Sequence, residues 1–154
     1  MAIYFLDSSG LVKRYVNETG SKWILDLVRP SANNSIYVAR IAGVEVVSAL
    51  ARRRQGNLLG KTEATKAIKR FERHFLRRYT KVNITPDLIT SAMKLADKHS
   101  LRGYDAVQLS AALEVEADIS AVGALSLIFV SADNKLNLAA QAEGLIVENP
   151  NNYP

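Results

Sequence analysis

Short apolar runs alternate with helical segments along this chain of 154 residues. Residues 2–6 (AIYFL) and residues 126–130 (SLIFV) are rich in β-forming side chains, and each run ends abruptly at polar residues. Continuous apolar runs of this length are typical of strands that are covered on both faces, as in parallel sheets. Shorter strands are predicted at residues 35–39, 82–84 and 145–147.

The segments between these runs carry apolar residues at the i, i+3, i+4, i+7 spacing of a helix with one buried face. A helical pattern continues from residue 11 to Tyr15, and further helices are predicted at residues 21–28, 41–55, 61–79, 86–96, 104–113 and 134–142. Residues 118–125 follow no readable pattern. Strands that alternate with helices predict an α/β fold, in which a central parallel sheet has helices on both faces.

The length of the chain suits one domain, which we place at residues 1–150, with residues 151–154 as a C-terminal tail. Hydrophobic residues make up 48% of the chain and charged residues 23%, as in an ordinary globular protein. The absence of cysteine excludes a disulfide framework and a thiolate metal site. No apolar run reaches the roughly 18 residues of a membrane span, and the N-terminus lacks a signal-peptide layout. We therefore expect a soluble cytoplasmic protein with no membrane partner.

Positive charge is concentrated in one segment. Residues 49–81 contain eleven Lys or Arg and two acids, a net charge of +9, whereas the whole chain carries +5. The helices predicted there should form a basic helical arm, at residues 51–80, with the bases on its outer face. This pattern fits a polyanionic partner, although a merely solvated helix face has the same pattern. The candidate phosphate-binding residues are Arg52, Arg53, Arg54, Lys66, Lys69, Arg70, Arg73, Arg77 and Arg78.

Four acidic residues occupy positions that this fold would bring to one edge of the sheet. Asp7 and Asp133 follow the two long apolar runs, while Glu45 and Asp105 should lie in the first turns of helices that begin at the same edge. Ligands bind at this carboxyl edge in open α/β sheets. Each acid alone has a simpler interpretation, because Asp7 or Asp105 can cap a helix and Glu45 can point to water.

Four carboxylates that converge would repel one another, and a site that gathers them usually holds a cation. The two histidines, His74 and His99, do not have the spacing of metal ligands. Hard oxygen ligands without cysteine favour Mg²⁺ or Mn²⁺ over zinc. Next to a segment with a net charge of +9, such a site fits phosphate groups and therefore the hydrolysis of phosphodiester bonds.

Four motifs, taken together and in this order, resemble one protein family. They are YFLDSS at residues 4–9, VEVVSAL at 44–50, LRGYDAVQLSAAL at 101–113 and FVSADNKLNLAAQAEGL at 129–145. They look like the motifs of PIN-domain ribonucleases and, more narrowly, of the VapC-type toxins of type II toxin–antitoxin modules. The resemblance covers nearly the whole chain; any one motif is weak, whereas the set of four is specific.

This resemblance implies a three-layer α/β/α sandwich with a central parallel sheet and a protruding helical pair. It also implies an Mg²⁺- or Mn²⁺-dependent endoribonuclease that acts on structured RNA such as tRNA or ribosomal RNA. In this family a homodimer often forms the substrate groove, and a peptide of a cognate antitoxin protein inserts into it. RNA, an antitoxin and a second copy of the chain are thus the expected partners.

The acidic site of the family corresponds to Asp7, Glu45, Asp105 and Asp133 in this sequence. The resemblance implies that Asp7 and Asp105 ligate the metal directly. Glu45 would help to position the metal or a water molecule. Asp133 would ligate a second ion or act through water.

Four neighbouring residues bear on the same assignment. Ser8 and Ser131 correspond to hydroxyl residues of the family that would orient carboxylates or hold water, although a cap or a turn explains either one equally well. Some relatives carry another acid shortly after the fourth one. Here Asn134 and Asn137 occupy that neighbourhood, so a second metal ion would have fewer carboxylate ligands.

Three other classes of protein share parts of this pattern. A phosphatase of the haloacid-dehalogenase type also begins with a strand-end aspartate, but it needs a second one at the position of Ser9. A receiver domain needs an acidic pair at Asp7 and a lysine after a later strand, and this chain has neither. The remaining alternative is an RNA-binding or regulatory PIN module without catalytic activity.

Overall fold

Five short strands form one parallel sheet in the computed structural model, which describes residues 1–123 and 125–154. The strands are β1 (Ile3–Leu6), β2 (Ser35–Ala39), β3 (Thr80–Val82), β4 (Leu127–Val130) and β5 (Ile146–Glu148). Their spatial order is β3-β2-β1-β4-β5, and every neighbouring pair is parallel. From β1 the chain adds β2 and β3 on one side, and it then crosses back to add β4 and β5 on the other side of β1. The direction in which strands are added therefore reverses at β1. Such a reversal creates a crevice at the carboxyl ends of the strands.

Pairing with neighbours decides where the short strands begin and end. The strand predicted at residues 82–84 lies at Thr80–Val82, because these residues pair with the end of β2. The last strand, predicted at residues 145–147, lies one residue later because it pairs with the end of β4. The prediction for β2 matches residue by residue.

Seven helices connect the strands within the described residues. They are α1 (Ser8–Leu11), α2 (Ser21–Val28), α3 (Ile41–Gln55), α4 (Lys61–Arg77), α5 (Pro86–His99), α6 (Gly103–Ala121) and α7 (Asn134–Ala142). Short 3₁₀ turns follow at Val12–Arg14, Pro30–Ala32 and Pro150–Asn152. Among the helices in the described ranges, none is long and apolar enough to cross a membrane.

Four of the predicted helices differ from the observed ones. The helix predicted at residues 61–79 ends at Arg77, the one predicted at residues 86–96 continues to His99, and the other two differ more. The pattern that runs to Tyr15 is a single turn, α1, followed by a 3₁₀ turn rather than one continuous helix. The unassigned residues 118–125 begin as the last turn of α6, which continues to Ala121; residue 124 lies outside the described residues. The end of α6 escapes prediction because its exposed face alternates polar and small residues.

The sheet is covered on both faces. Phe5 and Phe129 pack on one side against α5, α6 and α7, and their rings stack with centroids 5.8 Å apart. The adjacent residues Leu6 and Val130 point to the other side, toward α2, α3 and α4. Neighbouring strand residues point to opposite faces, so strands buried on both faces need continuous apolar runs. The predicted α/β/α sandwich with a central parallel sheet is confirmed.

The basic arm consists of the C-terminal part of α3 and the whole of α4. Leu50, Ala67 and Phe71 attach it to the core, and Leu58 lies exposed at its tip. Gly43 permits the close approach of the two helices, because a Cβ atom there would lie 3.0 Å from the ring of Phe75. The apolar stripe of α4 faces inward, and its bases therefore face solvent.

Candidate active site at the carboxyl edge of the sheet

The ends of β1 and β4 place Asp7 and Ser131 side by side. Leu6 pairs with Val130 in the parallel register, and the Asp7 N–H donates to the Val130 carbonyl at 3.1 Å. The next residue of each strand therefore leaves the sheet at the same level. The hydroxyl of Ser131 donates to Oδ2 of Asp7 at 2.7 Å. Two residues that are distant in the sequence thus form one unit at the sheet edge.

Asp7 is almost completely buried, with 4% of its surface exposed, and neutral donors hold both of its carboxylate oxygens. The backbone N–H of Gly10 donates to Oδ1 at 2.8 Å, so that Asp7 is also the N-cap of α1. The Ser9 hydroxyl donates to the same oxygen at 2.7 Å. Burial raises the pKa of Asp7 to about 6, against the lowering effect of these hydrogen bonds; the charge of Asp105 raises it further. Asp7 therefore forms no ion pair with any of the described residues.

Glu45 reaches the same edge from α3, where it is held by a polar group from α6. Gln108 donates from Nε2 to Oε1 of Glu45 at 2.8 Å and to the Ser8 hydroxyl at 3.0 Å. Burial raises the pKa of Glu45, while the hydrogen bonds from Gln108 and Ser8 lower it. Glu45 lies in the second turn of α3, which begins at Ile41, so the prediction of a first-turn position is wrong. A glutamate side chain is long enough to reach back to the sheet edge from there.

Asp105 and Asp133 share one cation. Arg102, just before α6, places Nε 3.2 Å from Oδ2 of Asp105 and an Nη2 atom 3.3 Å from Oδ2 of Asp133. Asp105 lies in the first turn of α6, and partial burial raises its pKa against the opposing charge of Arg102. Asp133 is the N-cap of α7, and its Oδ1 accepts from the Leu136 N–H at 3.0 Å. Asp133 therefore caps α7 in addition to lining the site.

All four predicted acids line one cleft with a volume of about 580 Å³. Ser8, Ser9 and Gln108 also line it, and Arg52 and Arg53 extend it onto the basic arm. Ser131 is fully buried beneath Asp7 and takes part through its hydrogen bonds. Asn137 is turned away, since its Nδ2 donates to the Ser131 carbonyl at 2.8 Å.

The arm carries the predicted phosphate-binding residues on its outer side. Lys66, Lys69, Arg73 and Arg77 are exposed along α4. Of the nine predicted residues, Arg53 is the one with an ion pair in the described part of the chain, at 3.4 Å from Glu18. Arg54 donates to Thr65 and Arg70 lies over the ring of Tyr15. The exposed bases of α4 therefore face solvent without an ion pair in the described residues.

Three residues of the site were not selected from the sequence. Ser9 joins the ends of β1 and β4, because its hydroxyl also accepts from the Ala132 N–H at 2.9 Å. Gln108 is 1% exposed and stands three residues after Asp105 on an otherwise apolar stretch, a polar signal at helical spacing. Arg102 stands three residues before Asp105, the spacing of an ion pair across a helix turn.

Within residues 1–123 and 125–154, no three acidic or histidine side chains are arranged to hold a metal ion directly. The chemistry of the cleft nevertheless fits a hard divalent cation. The acidic residues that line the cleft offer hard oxygen ligands. The pKa values of Asp7, Glu45 and Asp105 are raised, and burial is the largest cause in each case. The guanidinium of Arg102 already pairs with Asp105 and Asp133, which shows that these acids bind a cation. These residues suit Mg²⁺ or Mn²⁺ better than a softer metal.

The same fold occurs in solved structures of low sequence identity. The toxin–antitoxin complex from Klebsiella pneumoniae is 18% identical, with 96% of this chain and 97% of that chain covered and a TM-score of 0.61. VapBC2 from Rickettsia felis, bound to a DNA fragment from its promoter, is 17% identical, with coverages of 96% and 98% and a TM-score of 0.60. VapC20 from Mycobacterium tuberculosis, a toxin that cleaves the sarcin–ricin loop, is 15% identical, with coverages of 93% and 96% and a TM-score of 0.60.

Sequence similarity identifies the family directly. The family model of the PIN domain matches residues 4–142, which include all four acids of the cleft. None of the curated proteins is significantly similar in sequence. Because the matched region covers most of the 154 residues, the chain belongs to the PIN domain family, as its four motifs predicted.

Proposed function

We propose that this chain is a divalent-metal-dependent endoribonuclease and the toxin of a toxin–antitoxin pair. The observation that carries the proposal is the convergence of Asp7, Glu45, Asp105 and Asp133 on one cleft that continues onto a strongly basic arm. Four carboxylates with a single paired guanidinium between them leave negative charge that attracts a divalent cation, and the neighbouring bases attract phosphates. Hydrolysis of an RNA phosphodiester bond needs a bound divalent cation next to a surface that holds the phosphates.

In this proposal Asp7 and Asp105 hold the ion, Glu45 positions it or a water molecule, and Asp133 acts through water. Bound Mg²⁺ or Mn²⁺ would supply an activated water molecule and neutralise the charge that develops on the phosphate. The chain's own residues prepare the acids for this role. Gln108 and Ser8 fix the carboxylate of Glu45, while Ser9, Ser131 and the Gly10 N–H fix that of Asp7.

The basic arm would bind the RNA backbone. Arg52 lines the cleft, and the exposed bases of α4 continue the positive surface away from it. Contacts to phosphates position a nucleic acid without reading its sequence. A structured RNA such as tRNA or ribosomal RNA offers phosphates spaced widely enough to contact both the arm and the cleft.

Similarity to toxin–antitoxin complexes supports the proposed partners. One of the solved neighbours is a toxin–antitoxin complex, another is VapBC2 bound to a DNA fragment from its promoter, and a third is a toxin that cleaves the sarcin–ricin loop. We propose that the chain forms a homodimer in the cytoplasm and that a cognate antitoxin protein occupies its cleft. Induced expression should then stop bacterial growth, and Asp7→Asn should remove this effect at equal protein level.

Cleavage of total cellular RNA by the purified protein tests the activity. The protein is incubated with Mg²⁺, Mn²⁺ or EDTA, and the 5′ ends of the products are sequenced. We expect discrete products with either metal, none with EDTA, and a loss of at least about 100-fold in rate for Asp7→Asn or Asp105→Asn.

Asp118→Asn is the matched control for this assay. Asp118 is exposed on α6, the helix that carries Asp105, so its substitution changes the same charge on the same element. The control should cleave like the wild type. Metal-independent cleavage, or cleavage that survives both active-site substitutions, would contradict the proposed activity. RNA binding without cleavage would favour the regulatory PIN module.

A further inference from the structure

The carboxylates of Asp105 and Asp133 come from different elements, and Arg102 is the group that connects them. Its Nε and Nη2 atoms lie 3.2 Å and 3.3 Å from one oxygen of each acid. A guanidinium is planar and permanently charged, so two separate atoms of one side chain can bridge two carboxylates. The bridge lies on the side of the cleft formed by α6 and α7.

The other ligands that a second ion would need on this side are engaged elsewhere. The second oxygen of Asp133 caps α7 by accepting from Leu136. Asn134 accepts at Oδ1 from Asn149 at 3.0 Å, and Asn137 is buried and donates to the Ser131 carbonyl. An ion between Asp105 and Asp133 would therefore find Oδ2 of each acid already paired with Arg102, which leaves Oδ1 of Asp105.

On the side of the cleft around Asp7, neither Asp7 nor Glu45 forms an ion pair with another described residue. Asp7 accepts hydrogen bonds from Ser9, Ser131 and Gly10, which are all neutral donors. Glu45 likewise accepts from the neutral amide of Gln108. Lys13, Arg52 and Arg53 also line the cleft, but Lys13 and Arg53 pair with Glu18, and none of the three forms an ion pair with Asp7 or Glu45 in the described residues. The carboxylates of Asp7 and Glu45 are therefore left for an external cation, whereas Arg102 pairs with those of Asp105 and Asp133.

We infer that Arg102 takes the place of a second metal ion, so that the cleft binds one divalent cation and carries a fixed positive charge beside it. This inference rests on the proposed metal-dependent function and adds the number of ions and a positioning role for Arg102. The side chain of Arg102 is 82% exposed, so its replacement removes the bridge without leaving a buried cavity. Removing the guanidinium should open a second site between Asp105 and Asp133.

Calorimetric titration of the metal-free protein with Mn²⁺ tests the inference without measuring catalysis. We expect the wild type to bind one ion per chain. Arg102→Gln should bind a second ion, with an affinity for it about three- to tenfold above any residual second binding in the wild type, as expected for losing two exposed ion pairs. Arg102→Lys keeps the charge and should remain at one ion.

Arg29→Gln is the charge-matched control, because Arg29 is exposed at the end of α2 and pairs with Asp26 away from the cleft. Thermal unfolding should show all four proteins folded, since Arg102 makes no side-chain capping bond to α6. Two ions in the wild type, or one ion in both wild type and Arg102→Gln, would overturn the inference alone. Failure of every protein to bind Mn²⁺ would overturn the proposed metal-dependent function with it.

Discussion

The hydroxyl of Ser131 donates a 2.7 Å hydrogen bond to Asp7, a residue 124 positions away in the sequence. The same hydroxyl accepts from the Asp133 N–H at 3.1 Å, so that one buried side chain links two acids of the cleft. The parallel pairing of β1 with β4 makes this contact possible, because it ends both strands at the same level. Ser131 is therefore a positioning residue that acts through Asp7.

Replacing Ser131 by alanine should destabilise the protein. The change removes the donor to Asp7 and the acceptor for the Asp133 N–H, and it leaves buried polar groups unpaired. We expect the free energy of unfolding to fall by about 1–3 kcal/mol, measured by urea denaturation. Ser120→Ala, at an exposed position of α6, should change it by less than about 0.5 kcal/mol. Equal effects of the two substitutions would contradict the role given to Ser131.

The buried carboxyl of Asp7 should make the metal-free protein less stable as the pH rises. Its pKa is about 6 in the folded protein against 3.8 for an ordinary aspartate, so the folded state binds the extra proton. Its contribution to stability is complete below about pH 4 and is lost as the pH rises through 6. Asp7→Asn has no group that titrates at this position. Between pH 4 and pH 7, its free energy of unfolding should therefore rise relative to that of the wild type by up to about 3 kcal/mol.

Urea denaturation in EDTA at several pH values measures this difference. Asp118→Asn serves again as the control, because that exposed carboxyl has the same charge on the surface of α6. Its pH dependence should follow that of the wild type. Parallel curves for Asp7→Asn and the wild type would show that Asp7 is not the group responsible.

His74 should make the protein more stable as the pH rises, which is the opposite of the effect of Asp7. Burial and the positive charges of Arg14, Arg78, Arg70 and Arg73 lower its pKa to about 4. A histidine that resists protonation when folded contributes stability above its unfolded pKa of about 6.5, and this contribution is lost as the pH falls toward 4.

His74→Gln should therefore weaken the rise of stability between pH 4 and pH 6.5. Glutamine can still accept the hydrogen bond that links His74 Nδ1 to the Tyr15 hydroxyl at 2.9 Å. Urea denaturation at each pH gives the comparison. An unchanged slope would indicate that this imidazole is protonated normally in the folded protein.

The outer bases of the arm should account for much of the salt dependence of RNA binding. Replacing Lys69, Arg73 and Arg77 together by glutamine removes three exposed charges from α4. If each contacts one phosphate, the slope of log K against log [salt] should decrease by about 2, and affinity should fall at low salt. Fluorescence anisotropy with a labelled RNA in EDTA measures both quantities without cleavage.

A triple variant of equal charge separates local contacts from net charge. Lys22, Arg29 and Lys94 are exposed on other helices, and their replacement by glutamine lowers the total charge equally. This control should keep most of the wild-type slope. Equal losses in both triple variants would mean that the arm attracts RNA only through the overall charge of the protein.

Local patterns in the sequence determined the kind of fold and the motifs of the site. The runs at residues 2–6 and 126–130 predict buried parallel strands, because a strand covered on both faces needs consecutive apolar side chains. Asp7 follows the first run directly and Asp133 stands three residues after the second, and so their place at the carboxyl edge is a consequence of sequence position. The four motifs also predict the PIN domain family, which the match over residues 4–142 confirms.

The tertiary structure alone decided which groups touch one another. The bridge from Arg102 to Asp133 joins residues 31 positions apart, and Gln108 meets Ser8 across 100 residues. These contacts depend on the order β3-β2-β1-β4-β5, which brings β4 next to β1 and places α6 against β2 and β4. A local sequence pattern predicts which face of an element is buried and where the element ends. A hydrogen bond or an ion pair between distant elements depends on how those elements pack, and their packing is determined only in the folded chain.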